Sequence, residues 1–260
     1  MSSTDPLLAG RDIHMTFGGV RALKGVDVAL RPGSRLGLIG PNGSGKTTLL
    51  NVLSGVYRAT AGQVVFGDRD ITRLAPGARG RIGIVRTFQH PQLAKSLTVR
   101  ENVELGARLS RHVHGRRRRR GDDAAKAAEA LEHFGCAAYA DGLPEEVPYG
   151  VRKMAEIARV AAVEAPVVLL DEPAAGLSRE ERDELIAAIR TLNEQRPDTA
   201  MCLVEHDVRL VASLCDELLV LATGEMLAHG PTPEVLRDER VRAAYLGEQG
   251  HETEIREEVG

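Results

Sequence analysis

The sequence predicts an α/β fold in which helices cover a mostly parallel, buried sheet. Three patterns support this fold class. Short β-like runs punctuated by glycine fill the first third, Ala-rich helical spacing fills the middle, and continuous apolar strands alternate with helices in the last third. Such alternation is typical of a parallel sheet that is buried on both faces.

The strand-rich first third is followed by a helical segment. The predicted strands are Val26–Leu30, Arg35–Ile39, Gln63–Phe66 and Ile84–Phe88. From Leu97 to Val163 the apolar spacing becomes helical, and it predicts helices over Asp122–Phe134 and Gly150–Val163. We therefore expect a helical subdomain in the middle of the chain.

The last third carries the predicted parallel sheet. Its strands are Val167–Leu170, Met201–Val204 and Leu218–Leu221, and its helices are about Arg179–Glu194 and Val208–Cys215. In an open parallel sheet, ligands bind beyond the carboxyl ends of the strands, so the residues after each strand should carry the chemistry. The polar residues after Gly247 are expected to fray.

Composition excludes several classes of protein. With 260 residues, 43% of them hydrophobic, the chain can bury one large core, and no stretch approaches the roughly 18 uncharged apolar residues of a membrane span. A net charge of -3 argues against a general nucleic-acid binder.

Met1–Gly10 lacks the pattern of a secretory signal, which favours the cytosol. Cys136, Cys202 and Cys215 suit neither disulfides nor a zinc site, and we expect buried thiols.

One basic run stands apart from this balance. Five consecutive arginines, Arg116–Arg120, are followed by Gly121, Asp122 and Asp123. The pattern favours a solvated loop before a helix. The alternative is a patch that touches acidic lipid headgroups.

A glycine-rich segment after the strand Arg35–Ile39 carries the strongest functional signal. It reads Gly40-Pro41-Asn42-Gly43-Ser44-Gly45-Lys46-Thr47-Thr48 and continues into the helical stretch Leu49–Leu53. This is the P-loop pattern in its strand–loop–helix setting. Backbone N–H groups and the helix N-terminus bind phosphates, Lys46 reaches the β and γ phosphates, and the Thr47 hydroxyl can ligate Mg²⁺. The sequence therefore predicts a site for a nucleoside triphosphate, and the alternative is a simple glycine-rich turn.

An acidic pair ends the apolar strand Val167–Leu170. Asp171 is expected to hold the magnesium ion through water, and Glu172 to orient and deprotonate the attacking water. An acidic pair after a strand is otherwise common as a helix cap. The P-loop upstream favours the catalytic interpretation.

Further motifs resemble those of the ABC ATPases, over Leu7 to about Gly247. They are Thr87-Phe88-Gln89 as the glutamine loop, Pro148–Lys153 in place of the signature, Ala174–Leu177 as the D-loop and Glu205-His206-Asp207 as the histidine switch. The resemblance implies a P-loop NTPase core with a mostly parallel sheet, an N-terminal antiparallel β subdomain and an inserted helical subdomain. The implied boundaries are an ABC domain over 1–247, with its core at 7–90 and 164–247 and its helical subdomain at 91–163, and a tail over 248–260.

The resemblance also implies roles for single residues. Gln89 would sense the γ-phosphate and contact Mg²⁺, His206 would contact the γ-phosphate and help to position the water, and Phe17 would stack on adenine. Each has a simpler reading. Gln89 could be a surface residue, His206 a helix-start residue beside an N-cap, and Phe17 part of the core.

The signature departs from the family's usual Leu-Ser-Gly-Gly-Gln. Val147-Pro148-Tyr149-Gly150-Val151 keeps one glycine, lacks the serine hydroxyl and has valine in place of glutamine. Pro148 suits the start of a helix, so the Gly150 amide can still face a phosphate held by a second subunit. The family implies that Tyr149 and Gly150 act in trans in this way, and we expect a competent but slow site.

The Pro-Tyr-Gly sequence and the ending Ala244-Tyr245-Leu246-Gly247 resemble the subgroup that serves branched-chain amino acid importers. This implies a cytoplasmic ATPase, peripheral on the inner face of the cell membrane, that powers import of a small solute. The implied partners are a second ABC ATPase subunit, identical or not, two permease subunits and indirectly a solute-binding protein, with no nucleic acid. The alternatives are a non-transport ABC ATPase, a nucleotide-sensing regulatory module and a small-molecule P-loop kinase.

Overall fold

The computed structural model describes residues 5–115 and 120–246. Its strands are β1 (Leu8–Phe17), β2 (Val20–Leu30), β3 (Arg35–Ile39), β4 (Ala61–Phe66), β5 (Arg69–Asp70), β6 (Ile84–Arg86), β7 (Val167–Asp171), β8 (Ala200–Val204), β9 (Glu217–Ala222) and β10 (Glu225–Pro231). Its helices are α1 (Lys46–Ser54), α2 (Pro76–Arg81), α3 (Val99–His114), α4 (Arg120–His133), α5 (Tyr149–Ala162), α6 (Arg179–Gln195), α7 (Val208–Leu214), α8 (Thr232–Val235) and α9 (Glu239–Leu246).

The central sheet has the order β10-β9-β3-β8-β7-β6. Its strands from β9 to β6 are parallel to one another, and β10 pairs antiparallel with β9 through a tight turn. Strands β3 and β8 are almost entirely buried, as their continuous apolar sequences predict. The carboxyl ends of β3, β6, β7 and β8 therefore meet at one edge, where polar residues follow each strand.

A second, antiparallel sheet has the order β2-β1-β4-β5. Helix α1 contributes to the core between the two sheets, where Leu49, Leu50 and Leu53 are fully buried with Ile13 and Leu36 at 1% exposure or less. The helix that begins at the P-loop is thus fixed by apolar contacts on both sides.

Helices α3, α4 and α5 form the predicted helical subdomain. Thr98 begins α3 with a reciprocal capping box to Glu101. Gly106 lets α3 approach α5 so closely that a Cβ there would lie 2.0 Å from the carbonyl oxygen of Arg159. The buried side chains between these helices, such as Phe134, join the same apolar cluster as α5. The fold class is confirmed, with both subdomains present.

Several element ends differ from the predictions, most of them by one or two residues. Strand β2 begins at Val20 rather than Val26, because antiparallel pairing with β1 extends to Phe17. Strand β6 ends at Arg86 rather than Phe88. There the chain leaves the sheet, and Phe88 lies exposed, while the Arg86 side chain contacts Asp171 at the end of β7.

The prediction of buried, unpaired cysteine thiols is confirmed. Cys136, Cys202 and Cys215 are buried and free, and burial raises the pKa of the Cys136 thiol to about 12. Of the arginine run, Arg120 begins α4, and Arg116 to Arg119 lie outside the described residues, as does the tail after Leu246. Within the described ranges no helix is long and apolar enough to cross a membrane.

Candidate active site

The loop between β3 and α1 can be formed only by glycine at several positions. Gly40, Gly43 and Gly45 have φ of 149°, 75° and 106°, in a region that side chains rarely adopt. A Cβ at Gly40 would lie 2.1 Å from the Leu221 carbonyl oxygen, and one at Gly45 would lie 2.7 Å from that of Ala22. The tight curvature brings the loop to the N-terminus of α1, a place suited to an anion.

Side chains inside this loop offer donors to an anion. Lys46 is 5% exposed, and its Nζ donates to the carbonyl oxygens of Gly40 (2.6 Å) and Pro41 (2.9 Å). The buried hydroxyl of Ser44 has no hydrogen-bond partner within the described residues. A buried hydroxyl is normally satisfied, so this one fits the oxygen of a bound phosphate. Asn42 and Thr47 are exposed at the loop surface, and Thr48 is half-buried.

Asp171 ends β7 and is held by a buried arginine. Its Oδ2 accepts a hydrogen bond of 2.9 Å from Nη2 of Arg86, and the two side chains are 4% and 7% exposed. Burial raises the pKa of the Asp171 carboxyl, and the positive charge of Arg86 opposes that rise. Arg86 also donates to Asn51 and Ser54 of α1, at 2.7 and 2.9 Å, so one guanidinium joins the acidic strand end to the P-loop helix.

The carboxylate of Glu172 contacts side chains that follow two other strands of the central sheet. Gln89 Nε2 donates to its Oε2 at 2.8 Å, and His206 Nε2 lies 2.8 Å from its Oε1. Gln89 follows β6, Glu172 follows β7 and His206 follows β8. Residues 83 and 34 positions apart thus converge, as parallel strand ends allow. Gln89 is exposed and His206 directly precedes Asp207, the N-cap of α7, as the simpler interpretations expect. Both side chains also contact the Glu172 carboxylate.

The backbone of Glu172 is strained. Its φ is 46°, a left-handed conformation that costs a non-glycine residue about 1–3 kcal/mol. Its N–H donates to the carbonyl oxygen of Val204 at 2.9 Å, and its own carbonyl accepts from Ala175 N–H at 3.2 Å. This conformation turns the chain sharply out of β7 and places the carboxylate between Gln89 and His206.

The signature residues lie at the start of α5, away from this cluster. Pro148 is the N-cap, and the Tyr149 hydroxyl donates to the carbonyl oxygen of Ala175 at 3.4 Å. At Gly150 a Cβ would lie 1.9 Å from Oε1 of Glu181, the mobile end of a side chain. Within the chain, Tyr149 and Gly150 thus contact the loop after Glu172 and the first turn of α6.

Phe17 lies at the end of β1 and is 41% exposed, so the alternative that Phe17 is part of the apolar core is wrong. Its ring makes an edge-to-face contact with Tyr57, with the centroids 5.2 Å apart. An exposed aromatic pair of this kind offers a face to a planar ligand.

Sequence reasoning missed three buried charged residues around the site. They are Arg86, Lys153 and Glu156. The signal for Arg86 was a charge at the end of a short buried strand, directly before Thr87-Phe88-Gln89. Lys153 and Glu156 stand among apolar positions of α5, where only a specific polar partner makes burial of a charge tolerable.

A glycine loop that follows β3 and begins a helix, together with two carboxylates at the end of β7 in the same parallel sheet, defines a P-loop nucleotide-binding protein. Comparison with known proteins takes the assignment further. Residues 23–175 match the model of the family described as ABC transporter, and residues 225–251 match the one described as branched-chain amino acid ATP-binding cassette transporter. The chain belongs to the ABC transporter family.

Relatives of the same kind match nearly the whole chain. It is 37% identical to the high-affinity branched-chain amino acid transport ATP-binding protein LivG of Salmonella typhimurium, over 94% of this chain and 99% of the relative. It is 36% identical to BraF of Pseudomonas aeruginosa, over 94% of this chain and 98% of the relative. The predicted resemblance and ATPase activity are confirmed.

Solved structures agree with the fold. A nucleotide-free ATP-binding cassette from an ABC transporter is 30% identical, with a TM-score of 0.79, covering 94% of this chain and 100% of that one. A cassette in its ADP conformation is 31% identical, with the same TM-score of 0.79 and the same coverage of 94% and 100%.

The contribution of the buried Arg86–Asp171 pair to the free energy of unfolding can be tested by substitution. We expect Arg86→Met to lower the free energy of unfolding by about 3–5 kcal/mol, because it leaves a buried carboxylate without its partner. The double variant Arg86→Met/Asp171→Leu should lose clearly less than the sum of the single losses. Urea denaturation measures both, and additive losses would show that the pair is not coupled.

Proposed function

We propose that this ABC ATPase powers the import of branched-chain or other hydrophobic amino acids through a separate membrane permease. The observation that carries the proposal is the carboxylate of Glu172, held between Gln89 and His206 beside a P-loop. The amino acid specificity is supported by 36–37% identity to LivG and BraF along 94% of the chain. Branched-chain amino acid transport is what those relatives are named for.

Nucleotide binding is proposed for the loop from Gly40 to Thr48. Its backbone N–H groups and the unpartnered Ser44 hydroxyl would hold phosphate oxygens, and Lys46 would exchange one carbonyl partner for the β and γ phosphates. Phe17, half exposed beside Tyr57, would stack on adenine.

Mg²⁺ is proposed to bind with the nucleotide. Thr47 would hold it through its hydroxyl, Gln89 through its amide oxygen and Asp171 through a water bound by its carboxylate. All of these are the hard oxygen ligands that Mg²⁺ prefers. The described residues contain no cluster of three or more His, Cys, Asp or Glu side chains that could hold a metal alone. The phosphates would therefore complete the ligand set, and the bound ion would neutralise charge on them.

Glu172 is proposed as the general base. Its Oε2 accepts from Gln89 Nε2 at 2.8 Å and its Oε1 lies 2.8 Å from His206 Nε2, so both oxygens are oriented at the strand edge. It would take the proton of the attacking water, while His206 and Gln89 position that water and the γ-phosphate. Hydrolysis would then require that the Gln89 and His206 side chains keep these positions.

A second ATPase subunit, identical or similar, is proposed to complete each site. The start of α5, with Tyr149 and Gly150, would contact the nucleotide held by the other subunit's P-loop. Glu181 lies against Gly150, and Val151 replaces the family's glutamine, so this contact offers fewer donors than usual. We expect slow turnover as a consequence.

The transporter context is likewise a proposal. The chain would lie on the cytoplasmic face of the membrane. Its helical subdomain, proposed at 91–163, would contact two permease subunits, and its nucleotide-binding core is proposed at 7–90 and 164–247. A solute-binding protein would deliver the amino acid, and no nucleic acid would take part.

Replacing the proposed base tests the ATPase mechanism. Glu172→Gln keeps the shape of the side chain but cannot accept a proton, so kcat should fall by about 10²- to 10⁴-fold while MgATP still binds. Glu180→Gln, at an exposed position in the first turn of α6, is the matched control and should leave kcat unchanged. Phosphate release and binding of a fluorescent ATP analogue measure the two quantities. Equal kcat in both variants would remove Glu172 from this role.

The same variant tests the transport proposal. The Glu172→Gln variant should bind ATP without hydrolysing it, so its pair of ATPase subunits should stay closed around the nucleotide. It should therefore be recovered from membranes together with a permease pair. Vesicles containing the wild-type assembly should then take up labelled leucine when ATP is supplied. ATP hydrolysis without recovery of any membrane protein would contradict a role in transport.

A further inference from the structure

One face of α5 holds the loop that carries Gln89. Lys153 Nζ donates to the Gln89 carbonyl oxygen at 2.6 Å. Glu156 Oε1 accepts from the Gln92 N–H at 2.9 Å, and Arg159 Nη1 donates to the Gln92 carbonyl oxygen at 2.8 Å. These three side chains are spaced three residues apart and therefore project from the same side of the helix.

Lys153 also holds the strained residue of the site. Its Nζ donates to the Glu172 carbonyl oxygen at 2.9 Å, and the side chain is 1% exposed. A buried ammonium needs hydrogen-bonded partners to offset its lost hydration. Here those partners are the backbones of Gln89 and Glu172, whose side chains contact each other at 2.8 Å. One ammonium thus fixes both sides of that contact.

We propose that Lys153 is a positioning residue for ATP hydrolysis, which ties the backbones of Glu172 and Gln89 to the helix that begins at Tyr149 and Gly150. This rests on the proposed roles of those residues. Lys153 lies four residues after Tyr149, about one helical turn. When the start of α5 contacts the nucleotide of the second subunit, its position therefore determines that of the Glu172 backbone in the same chain, through the one helical turn that ends at Lys153. Glu156 and Arg159 hold the far end of the loop.

The test compares kcat with nucleotide affinity in the full chain. Lys153→Met keeps most of the side-chain volume and removes the donors, so kcat should fall about 10- to 100-fold, as expected for a displaced base. The affinity for a fluorescent ATP analogue should not change, because Lys153 donates to the carbonyl oxygens of Gln89 and Glu172, which lie outside the P-loop. Lys153→Arg, which again donates to both carbonyls, should recover most of the lost kcat.

Lys126→Met is the matched control. Lys126 belongs to α4 in the same subdomain and pairs with Glu164, so its loss affects stability without touching Gln89 or Glu172. If Lys153→Met and Lys126→Met have the same kcat, Lys153 has only a structural role and the proposal fails.

A second variant covers poor folding of Lys153→Met. Arg159→Met, at a partly exposed position, should lower kcat several-fold with unchanged affinity, and an unchanged kcat would overturn the proposal. Absence of hydrolysis by the wild-type chain assembled with its second ATPase subunit and permease would instead reject the proposed function itself.

Discussion

The left-handed backbone of Glu172 is the constraint on which the site depends. At φ 46° the chain turns out of β7 so that the carboxylate lies between Gln89 and His206. A residue adopts this conformation only where its surroundings hold it. Here the carbonyl of Val204 holds the Glu172 N–H, and Lys153 holds the Glu172 carbonyl.

Parallel topology supplies the rest of the arrangement. Strands β3, β6, β7 and β8 end at one edge of the sheet, so a phosphate loop, a glutamine, two carboxylates and a histidine from distant parts of the sequence converge there. Arg86 links two of these parts, because it contacts Asp171 and the P-loop helix together. The strand ends are therefore joined by charged contacts as well as by the apolar core.

The sequence predicts the parts of the site that depend on local chemistry. The P-loop needs glycine where φ is positive, and acidic residues after an apolar strand lie at a sheet edge in any parallel fold. The contacts of Lys153 and Arg86 could not be predicted in this way. They join residues 64 and 85 positions apart, and helical spacing does not say which loop a buried charge will meet. The end of β6 was mispredicted because Phe88, which the apolar pattern placed in the strand, is exposed.

The proposal divides each hydrolytic site between two chains, with Lys46 and Glu172 on one and the start of α5 on the other. Mixing two inactive variants tests this directly. A pair formed from Glu172→Gln and Gly150→Asp chains has one site with both intact halves, because the P-loop and base come from one chain and the signature helix from the other. Phosphate release by the mixture should clearly exceed that of either variant alone. A mixture as inactive as its components, with mixed pairs shown to form, would contradict the shared site.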